Sequence, residues 1–244
     1  MRFFQDLLWH PGRRLVVGGI ALVAVVVVVA AVTAGVYVFG GNQATASGSG
    51  SPTATLAPTL APAKGQTVFT IDPSVSSASF EIREVLFGKT NFVIGKTNQV
   101  TGQILINTSD PSKSQMGPIR VDVSTLTTDS DMRNHTLQTR ILETGDPANQ
   151  YATFTATSFK GLPTIFTVGP LVNFQVTGNL TVHQVTKVET FNMVFTVNSD
   201  KQVTGAASTN VRYEVFNLAI PNVPSVTNVS DTVVLTLNFT ARAA

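Results

Sequence analysis

Alternation of apolar and polar residues through the body of the chain, 66–244, is the feature that most restricts its fold. Phe80 and Ile82 alternate with charged neighbours, and the same rhythm recurs at 119–123 and 232–240. A period of two is typical of strands that bury one face and expose the other to water. With turn signals between many of these segments, the body is predicted to be all-β and antiparallel, with about eight or nine strands.

One segment, 129–142, breaks the alternation. Its apolar residues, Met132, Leu137, Ile141 and Leu142, are spaced as on a helix, and an Asp or Ser is available as N-cap. We therefore expect one short helix between strands. A sheet of this size must either pack as two layers or close on itself, and alternation alone leaves both a sandwich and a barrel open.

The N-terminal part of the chain has a different character. Residues 15–39 form an uncharged run of 25 residues, which as a helix exceeds the roughly 30 Å of a bilayer core. Arg13 and Arg14 precede the run, so the positive-inside rule predicts a cytoplasmic tail, 1–14, and a single transmembrane helix. Cleavage near Ala34 or Ala46 remains the alternative, although a signal peptide usually has a shorter apolar region.

Residues 40–65 are rich in Gly, Ser, Thr, Ala and Pro. Such a composition buries too little apolar surface to offset the entropy of ordering, so a flexible linker is expected. The body, 66–244, is then predicted to lie outside the cytoplasmic membrane.

Charge and residue content exclude several functional classes. From residue 66 onward the chain has 12 Lys and Arg residues and 13 Asp and Glu residues, so the body offers no cationic surface for nucleic acid. The chain has no cysteine and three histidines, one of them His10 in the tail. No metal site is therefore predicted. Since the chain also has no Gly-rich phosphate loop, nucleophile elbow or HExxH pattern, neither a cofactor nor enzymatic activity is expected.

Five short motifs follow one another between Thr67 and Thr240, and in this order they resemble the YceI-like family. Many family members carry His where this chain has Val75 or Ser76 and Glu84, and Gly where it has Gln184. The motifs are Val68–Pro73 with Ser77–Arg83; Val100–Ile104; Val121–Thr128 with Met132–Asn134, Leu137 and Tyr151–Phe154; Val176–His183 with Val185–Lys187; and Val229–Val233.

The resemblance implies a fold and a ligand. The implied fold is an antiparallel, up-and-down, lipocalin-like β-barrel of about eight strands with one short helix. The implied ligand is an isoprenoid lipid, such as a polyprenyl phosphate or a quinone, held in the barrel lumen. A barrel of eight strands is just wide enough to fill itself with side chains or to hold one slender ligand.

Apolar side chains at inward-facing positions are the candidate ligand-binding residues of the lumen. The alternative for each is that it simply fills the core. The candidates are Phe80, Ile82, Phe92, Val121, Val123, Phe154, Phe174, Val176, Phe191 and Phe195.

Arg133 and His135, near the helix start, are the candidates for contact with a lipid headgroup. The alternative is that Arg133 pairs with Asp129 or Asp131 and fixes the helix to the barrel rim.

Two functions follow from the sequence. The first is a membrane-tethered extracytoplasmic binding protein that shields an isoprenoid or similar amphiphile. The second is a ligand-free surface β domain that mediates protein interaction or serves a structural or stress role. The volume of the lumen discriminates between them, because a carrier must retain a continuous apolar channel with a polar mouth.

Overall fold

A computed structural model of the chain describes residues 60–224 and 226–243. The tail 1–14, the transmembrane helix 15–39 and linker residues 40–59 lie outside this range, so these expectations remain predictions. Within the described residues, no helix is both long and apolar enough to cross a bilayer.

Strands are the main regular secondary structure in the described part of the chain, as the alternation predicts. Seven of them have nine or more residues: β2 (Ser77–Leu86), β3 (Lys89–Thr97), β8 (Tyr151–Lys160), β9 (Val172–Val182), β10 (Val185–Val197), β11 (Gln202–Arg212) and β13 (Thr232–Ala243). The short strands are β1 (Thr67–Ile71), β4 (Val100–Thr101), β5 (Gln103–Ile106), β6 (Gln115–Met116), β7 (Ile119–Asp122) and β12 (Val226–Thr227).

All strand pairs are antiparallel and form one curled sheet, a half-barrel. One path runs β3-β2-β13-β11-β10-β9-β8-β7-β4, and a second path leaves β13 through β1 to β5 and β6. β13 departs from a strictly up-and-down order, because one of its edges pairs with β2 at Val233–Asn238 and with β1 at Ala241–Ala243. The reason is a 3-10 turn at Pro73–Val75, capped by Asp72, which separates β1 from β2 along that shared edge.

The single short helix is confirmed. Helix α1 (Asp131–Thr136) begins after Ser130, whose hydroxyl accepts from the backbone N–H of Arg133 at 3.4 Å, and it continues as a π-helical turn, Leu137–Ile141. The Oδ1 atom of Asn134 accepts from the Thr128 hydroxyl at 2.8 Å, so the helix start is held against the loop before it. The remaining 3-10 turns are Pro111–Lys113, Val123–Thr125, Pro147–Asn149 and Tyr213–Phe216.

Packing divides the half-barrel into two parts along its strands. The part that holds the β10–β11 turn is filled: Phe195 and Val176 are fully buried, and the Phe166 ring lies edge-on to Phe195 with centroids 5.9 Å apart. The part that holds the β2–β3 hairpin is covered by residues 131–142, which we call the helical segment. Its Leu137 and Leu142 belong to a second, smaller cluster of buried side chains. We call the two parts the filled half and the helix half.

The β9–β10 turn is tied to the loop after the helix. His183 and Gln184 both have positive φ, 49° and 61°, a backbone conformation that favours Gly. Their side chains contact that loop: His183 Nε2 lies 3.2 Å from Glu143 Oε2, and Gln184 Nε2 donates to Asn149 Oδ1 at 3.0 Å. These contacts offset the energetic cost of the positive φ angles. Gln184 is the position where many family members have Gly.

Gly178→Ala is expected to destabilise the domain by about 1–3 kcal/mol. A Cβ at Gly178 would lie 2.4 Å from the Thr155 carbonyl oxygen and 2.6 Å from the Phe154 ring. The Thr155 carbonyl is part of the backbone and cannot move away as the end of a flexible side chain can. The β8–β9 register also shifts directly after the pair Ala156–Gly178.

Urea unfolding of a fragment of residues 60–244 measures this change. Gly145→Ala is the control, because a methyl group added at Gly145 would meet nothing within 4 Å beyond its chain neighbours. Equal stability of the two variants would contradict the close approach at Gly178.

Candidate functional site

A cavity of about 470 Å³ lies in the helix half, between the curled sheet and the helical segment. This volume is in the range of about 300–1,000 Å³ that ligand-binding pockets occupy. The wall is mainly aliphatic and aromatic. It includes Phe80, Ile82 and Leu86 of β2, Ile119 and Val121 of β7, Phe154 of β8, Leu180 of β9, Phe191 and Met193 of β10, Val233, Leu235 and Leu237 of β13, and Leu137, Ile141 and Leu142 of the helical segment.

The exposure of the inward-facing side chains along β13 shows which end of the lumen is open. Phe239 and Ala241, at the filled end of this strand, are buried, whereas Val233, Leu235 and Leu237 are only partly buried although they face the same side. These three side chains line the cavity. The lumen is therefore filled with side chains at one end and open at the other.

Six of the ten predicted lumen residues line this cavity: Phe80, Ile82, Val121, Val123, Phe154 and Phe191. The sheet brings residues from distant parts of the chain together here. The rings of Phe154 and Phe191 lie edge-to-face with centroids 4.9 Å apart. The Phe80 ring lies over Gly95 of the neighbouring strand, where an added Cβ would come within 2.1 Å of it.

The other four predicted lumen residues do not line the cavity. Phe174, Val176 and Phe195 face inward but are buried in the core of the filled half. Phe92 lies on the outer face of β3 and is 57% exposed, because Val93 is the residue that faces inward. An apolar pair of neighbours, Phe92 and Val93, hides the register of this strand in the sequence.

A polar cluster interrupts the apolar wall where helix α1 begins. Glu84 and Arg133 both line the cavity, and the Glu84 Oε1 atom lies 3.5 Å from the Arg133 guanidinium and accepts from Asn91 Nδ2 at 2.9 Å. Arg133 also pairs with Asp129. The pairing that the sequence allowed with Asp129 is thus present.

His135, the second headgroup candidate, is exposed on the helix and does not line the cavity. Among the residues that the structure describes, Arg133 is the one cationic side chain in the cavity wall.

Glu84 is the charged residue of the cavity wall that the sequence predictions omitted. Its carboxylate is buried, with only 7% of the residue exposed. A signal was present, because the period-two rhythm of Phe80 and Ile82 continues to Glu84 and Leu86 and places a carboxylate on the inward face of β2. The segment 218–229, which supplies Leu218, Ile220, Val223 and Val229 to the wall, has no comparable rhythm and could not be placed.

This arrangement is suited to holding an amphiphile. An apolar chain gains about 0.8 kcal/mol for each methylene it buries, and the polar cluster can hydrogen-bond a headgroup. In residues 60–224 and 226–243, no group of three or more His, Cys, Asp or Glu side chains is placed to hold a metal ion.

Comparisons with known proteins agree with the fold. A family model described as a YceI-like domain matches residues 69–241. A polyisoprenoid-binding domain from Saccharophagus degradans, implicated in plant cell wall breakdown, has a similar structure: the TM-score is 0.56 and the identity 17%, over 73% of this chain and 99% of that one.

Burkholderia cenocepacia BcnA is similar with a TM-score of 0.52 and 18% identity, over 70% of this chain and 98% of that one. At these identities the likeness concerns the fold. No curated protein sequence matches the chain significantly.

Proposed function

Because the chain belongs to the YceI-like family, we propose that it binds an isoprenoid lipid in the cavity of its helix half and acts as a binding protein without catalytic activity. The observation that carries this proposal is the division of the lumen. The filled half is closed by packed, buried side chains, and the helix half keeps an apolar cavity of about 470 Å³. A ligand-free β domain has no need of such a cavity, since filling it with larger side chains would stabilise the fold.

The polar cluster bears on the choice of headgroup. The Arg133 guanidinium is already paired with Asp129 and lies 3.5 Å from Glu84, so the three charges sum to −1. A phosphate dianion placed here would meet a net negative site, whereas a quinone carbonyl or an alcohol needs only a hydrogen-bond donor. We therefore favour an uncharged headgroup, as on a quinone-like isoprenoid, over a polyprenyl phosphate.

The location is proposed from the sequence. The run 15–39 would anchor the chain in the cytoplasmic membrane, with Arg13 and Arg14 inside and the binding domain outside. Such an anchor would keep the cavity near the membrane that supplies its lipid. Protease accessibility of the domain in intact cells and in spheroplasts tests this topology.

Native mass spectrometry tests binding itself. The fragment 60–244 would be produced in cells, so that their membranes can supply the lipid, and purified without detergent. Circular dichroism checks that it is folded. A stoichiometric isoprenoid, identified after organic extraction, is the expected result. An empty domain that also takes up no added isoprenoid would overturn the proposal.

Glu84→Gln is expected to change headgroup selectivity. Removing the buried carboxylate changes the summed charge of the cluster from −1 to 0, so binding of a polyprenyl phosphate should tighten by about tenfold. Binding of a prenyl quinone of equal chain length should change less than about threefold. Fluorescence competition against a bound prenyl probe measures both.

Glu81→Gln is the matched control, because Glu81 precedes the inward-facing Ile82 and is on the opposite face of β2. Equal affinity of the unaltered domain for the phosphate and the quinone would contradict the assignment of an uncharged headgroup.

A further inference from the structure

We propose that the mouth of the cavity is a membrane-docking surface, through which lipid passes between the bilayer and the lumen. This inference rests on the proposed lipid-binding function and adds the partner that the mouth contacts. The surface is defined by Phe87, Met132 and Val223, which we call the apolar rim.

The three rim side chains are large, apolar and exposed to solvent. Phe87 is 80% exposed, Met132 81% and Val223 42%. Exposed apolar residues that cluster beside a binding cavity mark an interaction site, whereas scattered ones need no explanation. Met132 and Val223 also line the cavity, so the rim continues the apolar wall outward to the surface.

Strand pairing brings the rim residues to one end of the domain. Phe87 follows Leu86, a cavity residue that pairs with Val226. The backbone N–H of Val226 donates to the Val223 carbonyl at 2.9 Å, which closes a turn beside the β2–β3 hairpin. Met132 precedes Arg133, whose contact with Glu84 joins the helix start to β2.

Phe87 is placed at a cost to the backbone. It forms the tip of the β2–β3 hairpin with Gly88, and both have positive φ, 48° and 77°. Asn and Gly are the usual residues at such a tip, and a bulky aromatic residue there is uncommon. Packing does not explain this choice, because the ring is mostly exposed.

The charges around the rim indicate which kind of surface it fits. Lys89 is exposed beside Phe87, and Asp131 is exposed beside Met132, so these two charges cancel. Asp129 is paired with Arg133. Without a net positive charge the rim does not depend on anionic lipid, and we expect it to dock on a zwitterionic phosphatidylcholine surface by apolar insertion.

The length of the chain permits this orientation. The described chain begins at Leu60, whose backbone N–H donates to the side-chain Oε1 of Gln103 at 3.2 Å. Gln103 is on β5, which lies in the filled half and away from the rim. Twenty residues separate Leu60 from the end of the predicted anchor at Phe39, and they span at most about 70 Å. The longest strand, β10, has 13 residues and spans about 44 Å, so an anchored domain can turn its rim to the membrane.

The test uses the full chain in phosphatidylcholine vesicles recovered by flotation. The chain has no native cysteine, so Thr90→Cys beside the rim and Asp200→Cys in the β10–β11 turn can each carry one environment-sensitive fluorophore. We expect the fluorophore at position 90 to be blue-shifted and quenched by brominated acyl chains, and the one at position 200 to be neither.

Phe87→Ser combined with Met132→Ser, in the Thr90→Cys background, is expected to lower the ratio of docked to undocked molecules by at least about tenfold. Val168→Ser is the matched control, since Val168 is 63% exposed but lies between β8 and β9 near the filled half. Addition of phosphatidylglycerol should change docking less than about twofold.

Two results would overturn the proposal. One is equal quenching at positions 90 and 200, or none at position 90. The other is a blue shift without quenching that disappears at one chain per vesicle, which would assign the rim to a second copy of the chain. Mass spectrometry of the fragment 60–244 keeps the two proposals distinct, because a lipid-loaded fragment whose full-length parent does not dock refutes only the docking surface.

Discussion

Leu235→Trp is expected to remove the bound lipid from the domain while leaving its fold intact. Leu235 lies on β13 between Phe80 of β2 and Thr209 of β11, lines the cavity and is only partly buried. The larger ring would extend into empty space rather than into packed side chains. If it displaces about three methylenes of the ligand, at about 0.8 kcal/mol each, binding weakens by roughly fiftyfold.

Val188→Trp is the control for this substitution, because Val188 is 69% exposed on the outside of β10. It adds the same ring without touching the cavity. Native mass spectrometry of the two variants, with their melting temperatures, gives the comparison. Undiminished lipid in a folded Leu235→Trp domain would show that the ligand is held elsewhere.

Phe195→Ala is expected to produce the largest loss of stability, about 3–5 kcal/mol. Phe195 is fully buried in the filled half, with the Phe166 ring against it. Removing the ring leaves a void that close-packed neighbours cannot fill, so both burial energy and dispersion contacts are lost. For a domain of this size the melting temperature should fall by about 6–20 °C.

Phe80→Ala is the comparison, and we expect it to cost the ligand-free domain only about 1–2 kcal/mol. The Phe80 ring is partly buried and already adjoins the cavity, so its removal enlarges an existing space. Urea unfolding of both variants measures the difference. Equal losses would contradict the division into a filled half and a helix half that contains the cavity.

Local pattern was sufficient for much of the fold. The alternation at Phe80 and Ile82 reports burial on one face of a strand, and the spacing from Met132 to Leu142 reports a helical turn, since both depend on neighbours close in sequence. At Phe92 the local pattern is insufficient. Next to Val93 it offers two registers of equal apolar character, and only pairing with β2 decides which residue faces inward.

The sequence indicated which side chains face the lumen, but not which of them line a cavity and which fill the core. The same inward-facing character that placed Phe154 and Phe191 in the cavity wall also selected Val176 and Phe195, which fill the core. Whether an inward side chain meets another side chain or empty space depends on the element across the lumen. That element is the helical segment on one half and residues such as Phe166 on the other.

An antiparallel β body with one short helix, no cysteine and a nearly neutral charge could be inferred before any contact was known. These properties follow from residue content and from periodicity over a few neighbouring residues. Three features could be seen only in the folded domain: the lumen is hollow at one end, the Glu84 carboxylate lies beside Arg133, and Phe87, Met132 and Val223 share one rim. Each of these depends on contacts between residues tens of positions apart, and such contacts arise only when the sheet curls and the helical segment packs against it.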